Sequence, residues 1–352
     1  MLTCAPGDEL YSLFGHTALR ITDDTKGTDI IYNYGTFDFN DPDFYTKFVR
    51  GKLDYFLSAE NVSGFLYEYQ MTGRSVIEQE LLLSDSVQQV IADAIAKNLE
   101  GSNKYYKYDF LYDNCTSRIK DILVSHAGMR VDKRLVPEGT SFRDMLHEYL
   151  DRSGLGWTKL GIDIILAVPA DKKVTINESM FLPDYLMYGI DSSVYSNPVL
   201  SEKRKLLDIP AIDNRESNNR PVYILSVIAL AAILLSFAKT PLAKKITHII
   251  DRLLFLLTGC IGLLLLFLWF GTDHTAFAGN YNLLWAIPVN IVPAFMISWK
   301  RRWLKKYFLI TAIIYGLLLA SWFWLPQQLN IALAPVALLL LFTTARLSAL
   351  RL

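Results

Sequence analysis

The sequence predicts an α+β soluble domain followed by an α-helical membrane bundle of five spans. Three observations carry that prediction. The composition changes at about Pro221, from the mixture of a soluble domain to apolar stretches that run almost to the C-terminus. Before that point, short β-rich runs alternate with segments of helical period. After it, Lys and Arg gather in alternate loops, the pattern of a membrane protein.

The 352 residues leave room for both parts. The 35 basic and 35 acidic side chains cancel, so charge gives no case for nucleic acid or an acidic substrate. Cys4, Cys115 and Cys260 lie far apart and form no zinc pattern. No metal or cofactor is called for. Met1–Gly7 has neither a basic nor an apolar leader region and is no signal peptide. Export of the soluble half then calls for a signal ahead of it.

Residues 16–22 read as a strand, 23–27 as turn material and 29–34 as a second strand, together a hairpin. Asn40-Asp41-Pro42 reads as the start of an aromatic-rich helix over 41–57. Residues 74–83 suggest another strand. Ser84 opens a helix to about Leu99, with Val87, Val90, Ile91, Ala94 and Ile95 near helical spacing. Asp113 or Asn114 suits the N-cap of a helix to about His126, with Ile119, Ile122, Leu123 and His126 on one face. Thr140 or Ser141 suits another cap, for a helix to Leu150. Segment 155–168 is apolar but too short to span, and fits a core helix or a membrane-surface one. Residues 201–220 are polar and charged and read as a linker. The expected division is 1–200 soluble domain, 201–220 linker and 221–352 membrane domain.

The five expected spans are 221–238, 253–270, 283–299, 307–325 and 330–346. Each has about 17 to 19 residues, near the lower limit for a hydrocarbon core of about 30 Å. Pro288 and Pro293 interrupt the third and Pro335 the fifth. Lys239, Lys244, Lys245, Arg252, Lys300, Arg301, Arg302, Lys305, Lys306, Arg346 and Arg351 fall in the loops expected on the cytoplasmic side. Gly271–Asn282 and Pro326–Gln328 contain no Lys or Arg. The positive-inside rule then places the C-terminus in the cytoplasm and the soluble domain outside it, in the periplasm of a Gram-negative cell.

Cys115 stands at a helix start, where the helix dipole and free N–H groups favour a thiolate and can hold an oxyanion. His16, on a strand, suits its base. A polar residue on the next strand would orient the imidazole: Asn33 is the choice, with Tyr32 and Tyr34 as rivals while the register is open. The bland alternatives are a small buried Cys115, or a disulfide between Cys4 and Cys115 in an oxidising compartment.

A strand His, a following strand and then Asn114-Cys115 at a helix start resemble the circularly permuted papain-like (NlpC-type) proteins, among them lecithin:retinol acyltransferase and related phospholipid acyltransferases. Leu2–Gly7, Phe14–Arg20, Tyr32–Phe39 and Asp113-Asn114-Cys115 resemble more closely the Lnb lipoprotein N-acyltransferases of Bacteroidota. Gly271–His274 and Asn280–Trp285 resemble that family's membrane domain, so the likeness covers nearly the whole chain. The resemblance implies a permuted papain-like domain over five spans in the inner membrane. It implies transfer of an acyl chain from a membrane phospholipid donor to the α-amine of a diacylated lipoprotein acceptor. Cys115 would be nucleophile and His16 base.

Asn114, Tyr32 and Tyr34 are candidate substrate contacts. So are Asp273, His274 and Asn282 in the neutral loop, whose bland reading is an interfacial polar turn. Two other functions use the same residues: a membrane-anchored cysteine phospholipase or thioesterase, and a non-enzymatic assembly factor braced by a Cys4–Cys115 disulfide.

Overall fold

The computed structural model describes residues 1–193, 202–210, 219–299 and 301–349. The chain divides into two compact units, Met1–Tyr149 with Lys172–Asp213, and Leu150–Asp171 with Asn214–Leu352.

In the first unit the order is β1 (Leu2–Cys4), β2 (His16–Asp23), β3 (Thr28–Thr36), α1 (Phe44–Val49), β4 (Asp54–Asn61), α2 (Val62–Met71), β5 (Val76–Gln79), α3 (Asp85–Leu99), β6 (Tyr105–Lys107) and α4 (Cys115–Ala127). Helix α5 (Phe142–Arg152) follows, and α6 (Gly156–Ile165) belongs to the second unit. Helix α7 (Pro183–Asp191) and β7 (Lys203–Leu207) complete the first. The described strands form one sheet, ordered β6-β4-β3-β2-β1-β5-β7, with every pairing antiparallel. On one side α3, α4 and α7 bury Ile91, Ile95, Ile119, Leu123, Leu186 and Ile190 with Leu19, Tyr34 and Leu57. Phe65 and Tyr69 of α2 pack with Leu2, Ala18, Ile31 and Val76 in a second core. Arg20 holds the sheet laterally, reaching Asp29 at 2.6 Å and Glu78 at 2.7 Å.

The expected hairpin is β2–β3, and the expected helix at 84–99 is α3. The expected helix over 41–57 is not there. Helix α1 lasts six residues, and the β-favouring Tyr55 and Phe56 enter β4 instead. Residues 203–207, read as linker, are β7. It is an edge strand whose Lys203, Arg204 and Lys205 face water, and such charges protect an edge. On α4, His126 is exposed and Ala127 takes the buried position expected of it.

The second unit contains α6, α8 (Arg220–Ser236), α9 (Pro241–Phe270), α10 (Ile291–Met296), α11 (Arg302–Ser321) and α12 (Ala334–Ala349). Segment 150–171, expected in the soluble domain, groups here, because Leu160, Ile164 and Ile165 pack into this unit's apolar cluster. Three helical segments among the described residues are long and apolar enough to cross a membrane, not five: Pro241–Phe270, Arg302–Trp324 and Ile331–Ala349. The first expected span is the shorter apolar helix Arg220–Ser236. The third is broken. Pro288 and Pro293 remove backbone donors, and the segment forms the 3-10 turns Tyr281–Leu284 and Pro288–Asn290 before the six-residue α10. It packs tightly on α9, where a Cβ on Gly262 would lie 2.1 Å from the Ala286 carbonyl oxygen. Asn290 is buried there and meets Thr258, Tyr307 and Tyr315.

Candidate active site

Helix α4 begins at the nucleophile candidate because the residue before it caps the helix. Asn114 Oδ1 accepts from the N–H groups of Thr116 and Ser117 at 2.9 and 2.8 Å, and Ser117 Oγ accepts from the Asn114 N–H at 2.7 Å. Asn114 Nδ2 donates to the carbonyls of Phe110 and Phe181. Every polar group of this buried side chain is thus committed, and Asn114 is a positioning residue. It also narrows the expected oxyanion site. The Arg118 N–H donates to the Asn114 carbonyl, so the Cys115 N–H is the first-turn donor left to face a ligand.

Strand β2 is tied to this helix start by Thr17 and Thr116, whose hydroxyls lie 2.9 Å apart. That contact brings His16, at the beginning of β2, to Cys115. Cys115 is 9% exposed. Burial alone pushes its thiol up. The charge and hydrogen bond of His16, the Thr17 N–H and the Thr116 hydroxyl outweigh that and bring it down to about 7. Burial alone pushes the His16 imidazole down, but the Cys115 charge, the Cys115 hydrogen bond and Asn33 outweigh it and raise it. Each group favours the charged form of the other, so the pair leans toward thiolate–imidazolium.

His16 Nε2 lies 3.1 Å from Asn33 Oδ1. Asn33 Nδ2 donates to Glu60 Oε1 at 2.7 Å. The carboxylate accepts only from the amide nitrogen, so it turns the amide oxygen toward the ring. An oxygen there makes Nε2 the donor and leaves Nδ1 for the sulfur. Asn33 is 6% exposed. Glu60, on β4, was not among the residues singled out from sequence. Burial, its largest influence, and the charge of Glu68 raise its carboxyl.

The hairpin register pairs Leu19 with Tyr32, and it separates Asn33 from its rivals. Tyr34 is buried in the core and accepts a hydrogen bond from Asn98 Nδ2 at 2.7 Å. Tyr32 is partly buried against the same core. Between Asn33 and Thr36 the β3–β4 register shifts. Gly35 lies in that shift with φ 88°, and a Cβ there would sit 3.6 Å from the Cys115 Cβ. Glycine is what lets the strand take this left-handed conformation beside Cys115. The chain then enters an aromatic group: Phe37 contacts Tyr11, Phe39, Phe44 and Tyr55, with Tyr11, Phe39 and Tyr45 exposed.

Cys4 and Cys115 are both free thiols, so the expected alternative of a disulfide between them is not realised. Burial pushes the Cys4 thiol up to about 12.

The other candidates belong to the second unit. Asn282 is fully buried. Its Nδ2 donates to the carbonyls of Asp163 and Ile164 and its Oδ1 accepts from Trp285 Nε1. Asn280 and Gln327 reach the carbonyls of Ile164, Ile165 and Leu166. These side chains cap the C-terminal end of α6. Asp273 is exposed, and His274 is half-buried beside Phe277. Among the described residues, no cluster of His, Cys, Asp and Glu could hold a metal ion.

Residues 1–148 match the family described as the Lnb N-terminal periplasmic domain, and residues 213–351 match the Lnb transmembrane domain. No curated protein and no solved structure matches the chain.

Proposed function

The chain belongs to the Lnb family, a membrane protein with a periplasmic domain, and on that premise we propose that it is a lipoprotein N-acyltransferase working through a Cys115 thioester. The observation that carries the reading is the Cys115 thiol, drawn down to about 7 beside an imidazole that Asn33 and Glu60 orient. The order of a His strand, its partner strand and a Cys helix fits a permuted papain-like core.

The first step is attack of the Cys115 thiolate on a phospholipid ester carbonyl. The carbon–sulfur bond forms, the carbon–oxygen bond breaks, and the departing lysophospholipid oxygen takes the proton of imidazolium His16. The Cys115 N–H faces the oxyanion. In the second step the α-amine of a diacylglyceryl-cysteine attacks the thioester. Its proton passes to His16 as the thiolate leaves. Such an amine has a pKa near about 8, so a useful fraction is neutral near pH 7. A thioester reacts readily with amines, which suits Cys better than Ser. The exposed aromatic residues beyond Gly35 fit acyl chains, and the membrane unit keeps both lipidated substrates near the site. The 271–282 loop, which has no Lys or Arg, and the basic residues at 300–306 and at the C-terminus support a periplasmic site, an inner-membrane location and a cytoplasmic C-terminus.

The test is reconstitution with acyl-labelled phospholipid and a diacylated lipopeptide. Wild type should form N-acyl lipopeptide and, without acceptor, a hydroxylamine-labile acyl group on Cys115; Cys115→Ser should form neither. Free fatty acid as the only product would replace the transferase with a phospholipase.

A further inference from the structure

We propose that the basic end of the C-terminal unit holds a binding site for a phosphate group, supplied by an anionic lipid headgroup or by a free phosphate compound. This does not rest on the chemistry assigned to Cys115. A cavity of about 410 Å³ opens there, lined by Lys244, Thr247, His248 and Asp251 of α9, by Ser298, Arg301 and Lys305, and by Arg346 of α12. The α9 residues stand at the spacing that puts them on one helix face.

Two features point to a missing acceptor. Thr247 is 7% exposed, and its hydroxyl is buried with no hydrogen-bond partner. Arg346 Nε is likewise buried without a partner, while Nη2 of the same guanidinium binds both oxygens of Asp251, at 2.6 and 2.7 Å. Thr247 and Arg346 both line the cavity, and both orphaned atoms donate. Unpaired buried donors are costly unless something accepts from them.

The charge around them selects the acceptor. Asp251 is neutralised by Arg346. Lys244, Arg301 and Lys305 also line the cavity, and no acidic partner pairs with them among the described residues. The Ser298 hydroxyl, shared with His248 and Arg252, adds a further polar group. An excess of cations around such a cavity suits a phosphate. A basic pocket among membrane helices suits an anionic headgroup in particular.

The test uses the full chain in detergent, with phosphatidylglycerol, phosphatidylcholine and inorganic phosphate as probes, read by native mass spectrometry and thermal shift. Phosphatidylglycerol should bind and stabilise wild type better than phosphatidylcholine. Lys244→Gln/Lys305→Gln should weaken that binding on the order of tenfold or more. Thr247→Val should weaken it too, and both variants should keep the lipid-free melting temperature of wild type. Competition by inorganic phosphate assigns the site to the phosphate group from either source; binding of phosphatidylglycerol that phosphate does not displace assigns it to the lipid. Equal binding by wild type and the Lys244→Gln/Lys305→Gln variant, equal preference for the two lipids, or binding of neither phosphatidylglycerol nor phosphate overturns the proposal.

Discussion

Replacing His16 by Gln should move the titration of Cys115 and leave the fold in place. The thiol sits at about 7 because His16, helped by the Thr17 N–H and the Thr116 hydroxyl, outweighs burial; its ordinary value is 9.0. Without the imidazole, burial remains and the thiol should return to 9.0 or above. At pH 7 the thiolate fraction then falls from about one half to about one in a hundred, roughly 50-fold. The higher-pKa thiolate is intrinsically about 6- to 10-fold more reactive, which offsets part of that loss. Alkylation at pH 7 should therefore slow only about 5- to 8-fold, and by pH 9 the variant should match or overtake wild type. The diagnostic quantity is the midpoint, which should rise by about two pH units or more. The assay is iodoacetamide labelling against pH, read by intact mass, in a Cys260→Ser background. Cys4 is silent in it, being buried with its thiol near 12. A midpoint that stays near 7 in His16→Gln would refute the argument that His16 activates the sulfur.

The other expectations bear on what surrounds that pair. Glu60→Ala should lower acyl transfer by about tenfold or more with little change in KM, since it frees the Asn33 amide to rotate; Glu60→Gln, which still accepts at Oε1, should keep most of the activity. Asn114→Ala removes the cap and two carbonyl contacts at the start of α4, and should cost about 1–2 kcal/mol, or roughly 2–8 °C of melting temperature in detergent. Gly35→Ala puts a side chain at φ 88° against Cys115; it should cost about 1–3 kcal/mol and reduce alkylation and acyl transfer together. An unchanged alkylation rate in that variant would show that Gly35 does not shape access to the sulfur.

What the sequence revealed, and what it hid, follows from how local each determinant is. Asn114-Cys115 was readable as a cap and first helical residue because capping joins groups two or three positions apart. Asn33 was the choice over Tyr32 and Tyr34, but only the register could secure it, since a shift of one residue reverses which side chains enter the core. Glu60 was lost for a related reason. Reading 41–57 as helix concealed β4, and with it the strand that carries the partner of Asn33. Hydropathy marked the apolar segments but reports composition, not continuity. It was blind to Pro288 and Pro293 breaking the 283–299 segment around Asn290. Asn282 in the 271–282 loop posed the opposite difficulty. Asn282 looked available to a ligand because its partners, carbonyls near the end of α6, lie more than a hundred positions away. A buried amide with distant carbonyls to satisfy and a ligand-binding amide have the same appearance in a sequence. Only the donors left over after folding, such as Thr247 Oγ1 and Arg346 Nε, distinguish a site from a scaffold.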